Sequence, residues 1–313
     1  MKKKLALGID IGGTNSVFGL CDENGTVYFE ESLSTKQFDT PEALVDKIYE
    51  RINEIGYVQH LQGIGIGAPN GNYFSGTIEF APNLSWKGII PLARIFEFRF
   101  KCRAILTNDA NAAAIGEMVY GSAIDIKDFV VITLGTGLGS GVVVNGQLIY
   151  GHDGFAGEYG HFRVIPNGRK CGCGRLGCLE TYVSATGVVR SVTELESTNK
   201  KTSKLASLEN ISAETVFDLA LHGDPFASEI IEYTTSILGS ALADFATFTS
   251  PKAYILFGGI AQNGVGFARK VKQKMEENIL NIYKDKIEIR ISDLHDKNAA
   301  VLGSCSLVWN ELR

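Results

Sequence analysis

The chain has 313 residues, 45% of them hydrophobic, and a formal net charge of −5. This length and apolar content suffice for two packed cores, so we expect two domains. The acidic balance and the scattering of Lys and Arg argue against a nucleic-acid partner, and the expected ligand is a small neutral or anionic molecule.

The N-terminus resembles a signal peptide only superficially. Three lysines precede an apolar run, but Asp10 interrupts that run after five residues, and no later segment reaches transmembrane length. Cys21, Cys102 and Cys305 stand alone in segments that read as strand, strand and helix, which argues against a secreted disulfide framework. The sequence therefore predicts a cytoplasmic protein with no membrane partner.

The first half reads as a strand-rich α/β unit. Apolar alternation from Lys3 to Leu33 predicts three strands, broken by the turns GGTN and DENG. A helix follows, with Thr40 as N-cap ahead of Pro41. Next come a buried strand, LQGIGIGAP, and two helices, PLARIFEFRF and DANAAAIGEMVYG, which the strand CRAILTN separates.

A second α/β unit begins near Asp128. DFVVITLGTGLGSGVVVNGQLIYG reads as a strand, a glycine turn, a strand, an Asn-Gly hairpin and another strand. The polar segment STNKKTSKLASLENIS reads as a surface excursion between helices. After it come a long helix from Asp224 to Phe248, the buried strand AYILFGGI, a helix from about Phe267, the strand KIEIRIS and a last helix.

The two units follow the same order of elements. LGIDIGGTNSVFGL and ITLGTGLGSGVVV both read as an apolar strand, a Gly/Thr turn and a second apolar strand, which indicates two halves of similar architecture. We therefore expect an N-terminal domain over 1–120, completed by a C-terminal helix over 298–313. A larger domain over 121–297 would carry the cysteine-rich segment.

Small residues directly follow three apolar strands. A glycine turn exposes backbone N–H groups to an anion, and a threonine hydroxyl adds a donor. Neither the P-loop pattern nor the dinucleotide fingerprint is present, and one Gly-rich turn alone is more often only a hairpin. Three such turns at matching places predict phosphate binding at Gly12, Gly13, Thr14, Gly135, Thr136, Gly137, Gly258 and Gly259.

Two aspartates are candidates for chemistry. Asp10 ends the first strand, where it either holds Mg²⁺ near bound phosphates or only caps the turn. Asp109 stands between a strand and a helix, where it either caps the helix or accepts the proton of a sugar hydroxyl that attacks a γ-phosphate. In the second case Asn108 would hold other hydroxyls, and the helix N-terminus would favour the ionised base.

One imidazole and three thiols lie within eighteen residues, at His161, Cys171, Cys173 and Cys178. Four N/S ligands suit a tetrahedral structural Zn²⁺, although C-x-C-x4-C is not a standard finger, and unpaired reduced thiols are the alternative. Zinc would fix His161 and, one turn away, Glu158. Glu180 follows the last ligand. Both glutamates would accept hydrogen bonds from a polyhydroxylated ligand, unless they are surface residues.

Together these segments resemble the ROK family of bacterial sugar kinases and repressors. The resemblance rests on GIDIGGTN, GAPN, APNLSW, TNDANAAAIGE, LGTGLGSG, GEYGH, CGCGRLGCLE and FGGI, and it covers nearly the whole chain. It implies an actin/hexokinase-like fold of two ribonuclease-H-like α/β domains with a ligand cleft between them. It also implies a hexose and ATP as substrates, Mg²⁺ with the ATP, structural Zn²⁺, and a homodimer or homotetramer.

The resemblance further implies roles for individual residues. Asp109 would be the catalytic base, and zinc would be held by the four ligands named above. Sugar contacts would come from Asn83, Asn108, Asp109, Glu158, His161 and Glu180. The ATP phosphates would lie against Gly12 to Thr14 and against Thr136 and Gly137, with Gly258 and Gly259 on the nucleotide side.

Three functions stay open on the sequence. The first is a glucokinase that phosphorylates the 6-hydroxyl of glucose, and the second is a kinase of N-acetylglucosamine or N-acetylmannosamine. The third is a sugar-responsive regulator without catalysis, which would need a damaged base or phosphate loop, whereas Asp109, Gly13 and Thr136 are present. Many ROK repressors carry a helix-turn-helix ahead of the first phosphate loop, and because only seven residues precede Gly8, DNA binding is not expected.

Overall fold

The computed structural model describes residues 3–263, 265–294 and 299–312. Its strands are β1 (Leu5–Ile11), β2 (Asn15–Cys21), β3 (Val27–Ser34), β4 (Leu61–Gly67), β5 (Gly71–Asn72), β6 (Thr77–Glu79), β7 (Ile89–Ile90), β8 (Ala104–Thr107), β9 (Phe129–Leu134), β10 (Leu138–Val144), β11 (Gln147–Leu148), β12 (Ala253–Phe257) and β13 (Glu288–Ile291). Its α-helices are α1 (Pro41–Glu54), α2 (Leu92–Phe100), α3 (Asp109–Tyr120), α4 (Glu180–Val183), α5 (Ala185–Glu194), α6 (Ala213–Leu221), α7 (Pro225–Thr249), α8 (Val265–Asn278) and α9 (Ala299–Glu311).

The chain divides into two compact units. Unit 1 comprises Met1–Ile126, Gly141–Gly157 and Asp293–Arg313, and unit 2 comprises Lys127–Ser140 and Glu158–Ser292. The domain limits expected from the sequence, 1–120 with 298–313 and 121–297, stay predictions. Asn298 and Arg313, the ends of the expected last helix, lie outside the described residues.

Unit 1 is built on a five-stranded sheet of order β3-β2-β1-β4-β8. β1 pairs antiparallel with β2 and parallel with β4, and β4 pairs parallel with β8. Leu5, Leu7 and Ile9 of β1 are fully buried, as are the residues between them, because both faces of a central strand are covered. The carboxyl ends of β1, β4 and β8 therefore lie at one edge of the sheet.

The last helix belongs to unit 1 although it is encoded nearly 300 residues after β1. α9 packs on β1, β4 and α3, and the hydroxyl of Ser304 donates to the backbone oxygen of Ile9 at 2.8 Å. β4 and α9 touch backbone to backbone, since a Cβ placed on Gly65 would lie 1.8 Å from the carbonyl oxygen of Ser304. Only glycine permits this approach.

The second five-stranded sheet has the order β11-β10-β9-β12-β13. Within unit 2, β12 pairs parallel with both β9 and β13. The predicted Asn-Gly hairpin joins β10 to β11, and Asn145 and Gly146 have φ values of 52° and 73°, as a type I′ turn requires. α7 and α8 pack against each other in unit 2.

Thr40 caps α1 as the sequence predicted, and Asp224, where the long helix was expected to begin, also proves to be a cap. The hydroxyl of Thr40 accepts from the backbone N–H of Ala43 at 3.2 Å and caps α1, with Pro41 at its first position. The carboxylate of Asp224 caps α7 in the same way, accepting from Phe226 and Ala227. α8 begins at Val265, two residues earlier than expected.

Several short elements were not expected. β5, β6 and β7 form a separate three-stranded sheet, and the four-residue helix α4 follows the cysteine-rich segment. The polar segment expected between helices lies between α5 and α6. Cys102 precedes β8 instead of lying in it. None of the helices in the described part of the chain combines the length and the apolar content of a membrane span.

Candidate active site and metal centre

In unit 1, predicted site residues gather where the parallel strands end. Asp10 of β1 pairs in register with Gly67 of β4, which in turn pairs with Thr107 of β8. Asn108 and Asp109 follow Thr107 directly. Polar groups outside the carboxyl ends of parallel strands are the usual position of ligand sites in α/β sheets.

Asn108, and not Asp109, caps helix α3. The Asn108 side-chain oxygen accepts from the backbone N–H of Asn111 at 2.6 Å, while Asp109 occupies the first helical position. The carboxylate of Asp109 accepts from the adjacent N–H of Ala110 at 2.8 Å and from its own backbone N–H. Since the capping role is filled by its neighbour, Asp109 is available for chemistry.

The two aspartates of this edge influence each other. Desolvation raises the pKa of Asp109, although its side chain reaches solvent and the N–H of Ala110 opposes the shift. Burial, and next the charge of Asp109, raise the pKa of Asp10 to about 7. The pKa of Asp109 is therefore raised overall, whereas the N-terminus of helix α3 by itself would lower it.

The first glycine turn packs against the loop that carries Asn83. A Cβ on Gly13 would lie 2.4 Å from the backbone oxygen of Asn83, so this position requires glycine. The N–H of Gly12 is used within the turn, donating to the oxygen of Asn15 at 2.9 Å, and Thr14 is exposed. Unit 1 thus brings together a predicted phosphate loop and a predicted sugar residue.

The other two glycine turns adjoin each other in unit 2. Gly135 to Gly137 follow β9, and Gly258 and Gly259 follow the adjacent parallel strand β12. Gly258 has a φ of 97°, and a Cβ there would lie 2.8 Å from the oxygen of Leu134. Gly135 and Gly259 face open space, where a Cβ would meet no atom within 4 Å. A bound anion would therefore have access to both turns.

The cysteine-rich segment of unit 2 forms a ligand quartet. One ligand atom each from His161, Cys171, Cys173 and Cys178 lies within 4.8 Å of all the others. Cys171 Sγ is 3.7 Å from His161 Nδ1, and the sulfurs of Cys173 and Cys178 are also 3.7 Å apart. Zn–S bonds of about 2.3 Å in a tetrahedron place ligands about 3.7 Å from one another, so these four residues fit zinc.

The thiols differ in their surroundings. Burial, and next a hydrogen bond to Glu180, raise the pKa of Cys171. Partial burial acts in the same direction at Cys173, but hydrogen bonds, first that of the Arg175 backbone, lower its pKa. Because zinc binds thiolates, metal binding would displace the thiol protons.

Glu158 and Glu180 lie on either side of His161, one of the four ligands. The nearer oxygen of Glu180 is 3.6 Å from His161 Nδ1 and accepts from the Cys171 thiol at 2.8 Å. Glu158 lies on the opposite side of the imidazole, 4.0 Å from Nε2. The predicted grouping of two carboxylates about one histidine is therefore present in unit 2.

Glu158 and His161 also face a cavity of about 610 Å³. Four aromatic rings and two guanidinium groups complete its wall, contributed by Tyr159, Phe162, Phe245, Phe248, Arg163 and Arg175. Of the residues predicted to contact the sugar, Glu158 and His161 line this cavity, and Glu180 is not among its lining residues.

Two supporting contacts escaped sequence reasoning. The buried hydroxyl of Ser140 accepts from the N–H of Tyr159 at 3.1 Å, next to Glu158. Asn72 donates to the backbone oxygen of Asp153 at 2.8 Å, in the glycine-rich segment that leads to Glu158. In the sequence, Ser140 stood out only as a polar residue within an apolar strand. No sequence pattern pointed to Asn72.

Comparison with known proteins agrees with these features. The model of the ROK family matches residues 6–311. The chain belongs to the ROK family. This ROK chain is 34% identical over 318 residues to the glucokinase of Halalkalibacterium halodurans, covering 98% of the chain and 96% of that protein. It is 33% identical over 312 residues to the glucokinase of Thermotoga maritima, with 98% of each covered.

Solved structures give the same result. The ROK family glucokinase from Streptomyces griseus, crystallised with glucose and AMPPNP, superposes on this ROK chain with a TM-score of 0.80 at 30% identity, covering 97% of the chain and 98% of that structure. The actin/hexokinase-like fold expected from the sequence is thus confirmed.

Proposed function

We propose that this ROK chain is an ATP-dependent glucokinase that transfers the γ-phosphoryl group to the 6-hydroxyl of glucose. The observation that carries the proposal is the pair of aspartates at the carboxyl-end edge of the unit 1 sheet, beside the turn of Gly12 to Thr14. Glucokinases similar over almost the full length support the substrate.

Asp109 is the general base of the proposed reaction. Its carboxylate accepts the proton of the 6-hydroxyl while that oxygen bonds to the γ-phosphorus and the bond to the β-phosphate bridging oxygen breaks. The raised pKa of Asp109 brings the base closer to neutral pH, which strengthens it as a proton acceptor in the transition state.

Further residues supply the remaining sugar contacts in this proposal. Asn108 uses its side-chain oxygen as the cap of α3, so its NH₂ group is the part that donates to a sugar oxygen. Asn83, Glu158, His161 and Glu180 supply further hydrogen bonds. With zinc bound, Cys171 would have no proton to donate to Glu180, and the glutamate would then be able to accept from a sugar hydroxyl.

The glycine turns hold the nucleotide in this proposal. The turn of Gly12 to Thr14 and the residues Thr136 and Gly137 bind phosphates, and Gly258 and Gly259 lie on the nucleotide side. Mg²⁺ bound with ATP would neutralise phosphate charge, with Asp10 as its protein-side partner. Zinc held by His161, Cys171, Cys173 and Cys178 would have a structural role, since four protein ligands would leave it no open position.

The decisive test is ADP release with Mg-ATP and each of glucose, mannose, fructose, allose, N-acetylglucosamine and N-acetylmannosamine. We expect the highest kcat/KM with glucose. Preference for an acetylated sugar would change the substrate, and no turnover by folded, zinc-loaded protein would overturn the kinase proposal.

Asp109→Asn tests the role of the base. We expect kcat to fall by at least about 10³-fold while glucose still binds, because general base catalysis and orientation are lost but other hydrogen bonds remain. Binding is measured by calorimetry. Retained kcat would show that Asp109 is not the base, and loss of folding would point to a structural role.

We further propose a cytoplasmic location, where ATP is available, and a homodimer or homotetramer. Phe248 at the end of α7 is 68% exposed, which an interface would cover.

A further inference from the structure

A buried arginine links the zinc-binding segment to helices α4 and α5. Only 6% of the Arg169 side chain is exposed, and Arg residues are seldom so buried unless they are paired. Its Nε donates to Glu194 at 2.6 Å, and its Nη2 donates to the hydroxyl of Ser191 at 2.9 Å. Its Nη1 donates to the backbone oxygens of Thr181 at 2.7 Å and Gly187 at 3.1 Å.

Tyr182 also holds Arg169 in place, through both its hydroxyl and its ring. The N–H of Arg169 donates to the Tyr182 hydroxyl at 2.8 Å, and its guanidinium lies 4.5 Å from the centroid of the Tyr182 ring. Arg169 is two residues before Cys171. It therefore joins the start of the zinc loop to the corner of chain from Glu180 to Gly187.

This Glu180–Gly187 corner adjoins two parts of the proposed site. Glu180 begins it, and a Cβ on Gly137 would lie only 2.9 Å from Glu180 Oε2. The corner also binds the glycine turn after β9, because Ala185 N–H donates to the oxygen of Gly135 at 2.9 Å and Thr186 donates to the oxygen of Thr136 at 2.8 Å.

We propose that Arg169 is a positioning residue that, by holding the Glu180–Gly187 corner, orients both Glu180 toward the hexose and the Gly135–Gly137 turn toward ATP. This inference rests on the proposed kinase function. Arg169 is buried among protein groups, and it acts through the backbone carbonyls of Thr181 and Gly187 that it binds in the corner.

The guanidinium geometry is essential to this role. Its planar fork reaches two carbonyls, a hydroxyl and a carboxylate at once, whereas the Lys ammonium concentrates three donors at one point. Arg169→Lys therefore keeps the charge for Glu194 but leaves some of the other acceptors without a donor.

Arg190 provides a matched control. It binds the same Glu194, at 2.5 Å, and donates to the oxygen of Lys170 at 3.1 Å, but 39% of its side chain is exposed and both of these partners lie outside the corner. Arg190→Gln removes a neighbouring cation of the same network without touching the Glu180–Gly187 corner.

The experiment measures KM for glucose, KM for ATP, zinc content and thermal unfolding for wild type, Arg169→Lys and Arg190→Gln. For Arg169→Lys we expect KM to rise at least tenfold for glucose and threefold for ATP, with zinc retained. For Arg190→Gln we expect both KM values to stay within twofold. A rise in both KM values would indicate a displaced corner. If Arg169 only packed in the interior, its replacement would change stability without changing either KM.

An Arg169→Lys enzyme with lower stability but both KM values within twofold of wild type would overturn the proposal. If that variant does not fold, Ser191→Ala removes one acceptor of the guanidinium more gently, and the proposal expects at least a threefold rise in KM for glucose. An unchanged KM in Ser191→Ala would overturn it. Wild-type turnover is measured first, so failure of the kinase function is recognised separately, and the inference then falls with it.

Discussion

At Asp10, stability and ligand binding make opposite demands. The carboxyl lies beside Asp109 at the end of β1, and burial followed by that neighbouring charge raises its pKa to about 7, from an ordinary value of 3.8. A carboxylate that is costly to ionise is retained where a cation or phosphate chemistry needs it. The ionised form is thus a source of instability in the ligand-free protein.

The sign of the pH dependence follows from proton linkage. Between about pH 4 and pH 7 the folded protein holds a proton on Asp10 that the unfolded chain has lost. The free energy of unfolding of the ligand-free protein therefore falls as pH rises through this window, and this contribution levels off above pH 7. One pKa unit corresponds to about 1.4 kcal/mol.

Asp10→Asn removes this dependence. At pH 8 we expect the metal-free variant to be more stable than wild type by roughly 2–4 kcal/mol, with little difference at pH 4, and we expect kcat to fall. Urea unfolding at both pH values measures the effect, and Asp244→Asn on the exposed face of α7 is the control. Equal stability differences at both pH values would contradict the proposed ionisation of Asp10.

At the scale of elements, the zinc segment supports two short helical turns. His161 ends the 3-10 turn Tyr159–His161, and Cys178 stands two residues before α4, which begins with Glu180. Such short helices are marginal on their own, so their ends depend on outside constraints. A metal bound by His161 and Cys178 would hold both turns at once.

Cys173→Ser tests this dependence. We expect zinc content to fall from about one per chain toward zero, with a lower Tm and a KM for glucose raised at least about tenfold, because four-ligand zinc sites contribute folding free energy directly. Metal analysis and thermal unfolding measure this. Cys102→Ser, at a thiol outside the quartet, is expected to keep its zinc. Normal sugar affinity in zinc-free Cys173→Ser would show that sugar binding does not depend on the metal.

Zinc loading also has a defined pH dependence. The raised pKa of Cys171 means that its thiol proton is held tightly and must leave when zinc binds. Zinc affinity is therefore expected to weaken as pH falls.

At the scale of the whole molecule, the end of the chain completes the unit that its beginning starts. α9 meets β1, β2 and β4, and Ser304 bonds to Ile9 across 295 residues of sequence. Contacts of such sequence separation are costly to form because a long loop must close first. Unit 1 is therefore complete only when the last helix has been made.

Gly65→Ala tests the contact between β4 and α9. The added methyl would lie 1.8 Å from the oxygen of Ser304, so helix and strand must separate, and we expect about 3 kcal/mol or more of destabilisation. Gly266→Ala on α8, where a Cβ meets nothing within 4 Å, is expected to be neutral or slightly stabilising. Urea unfolding compares the two. Similar stabilities would show that α9 does not pack closely on β4.

The sequence by itself determined the features that are encoded locally. Apolar alternation located the main strands, Thr40 and Asp224 marked helix starts, and Asn145 with Gly146 specified the hairpin, because each signal lies within a few residues of its effect. The close spacing of His161 and the three cysteines predicted the ligand quartet for the same reason. The minimal strands β5–β7 were missed, since two or three residues carry no periodicity.

The tertiary structure alone decided which polar groups act together. Side-chain geometry made Asn108 the cap of α3 and left Asp109 free of that role, although both residues suit a cap equally by type. The raised pKa of Asp10 depends on burial and on a charge 99 positions away. Arg169 finds its acceptors 12 to 25 residues later in the chain. Electrostatic and hydrogen-bonding partners are set by distance in space, which a linear pattern does not contain.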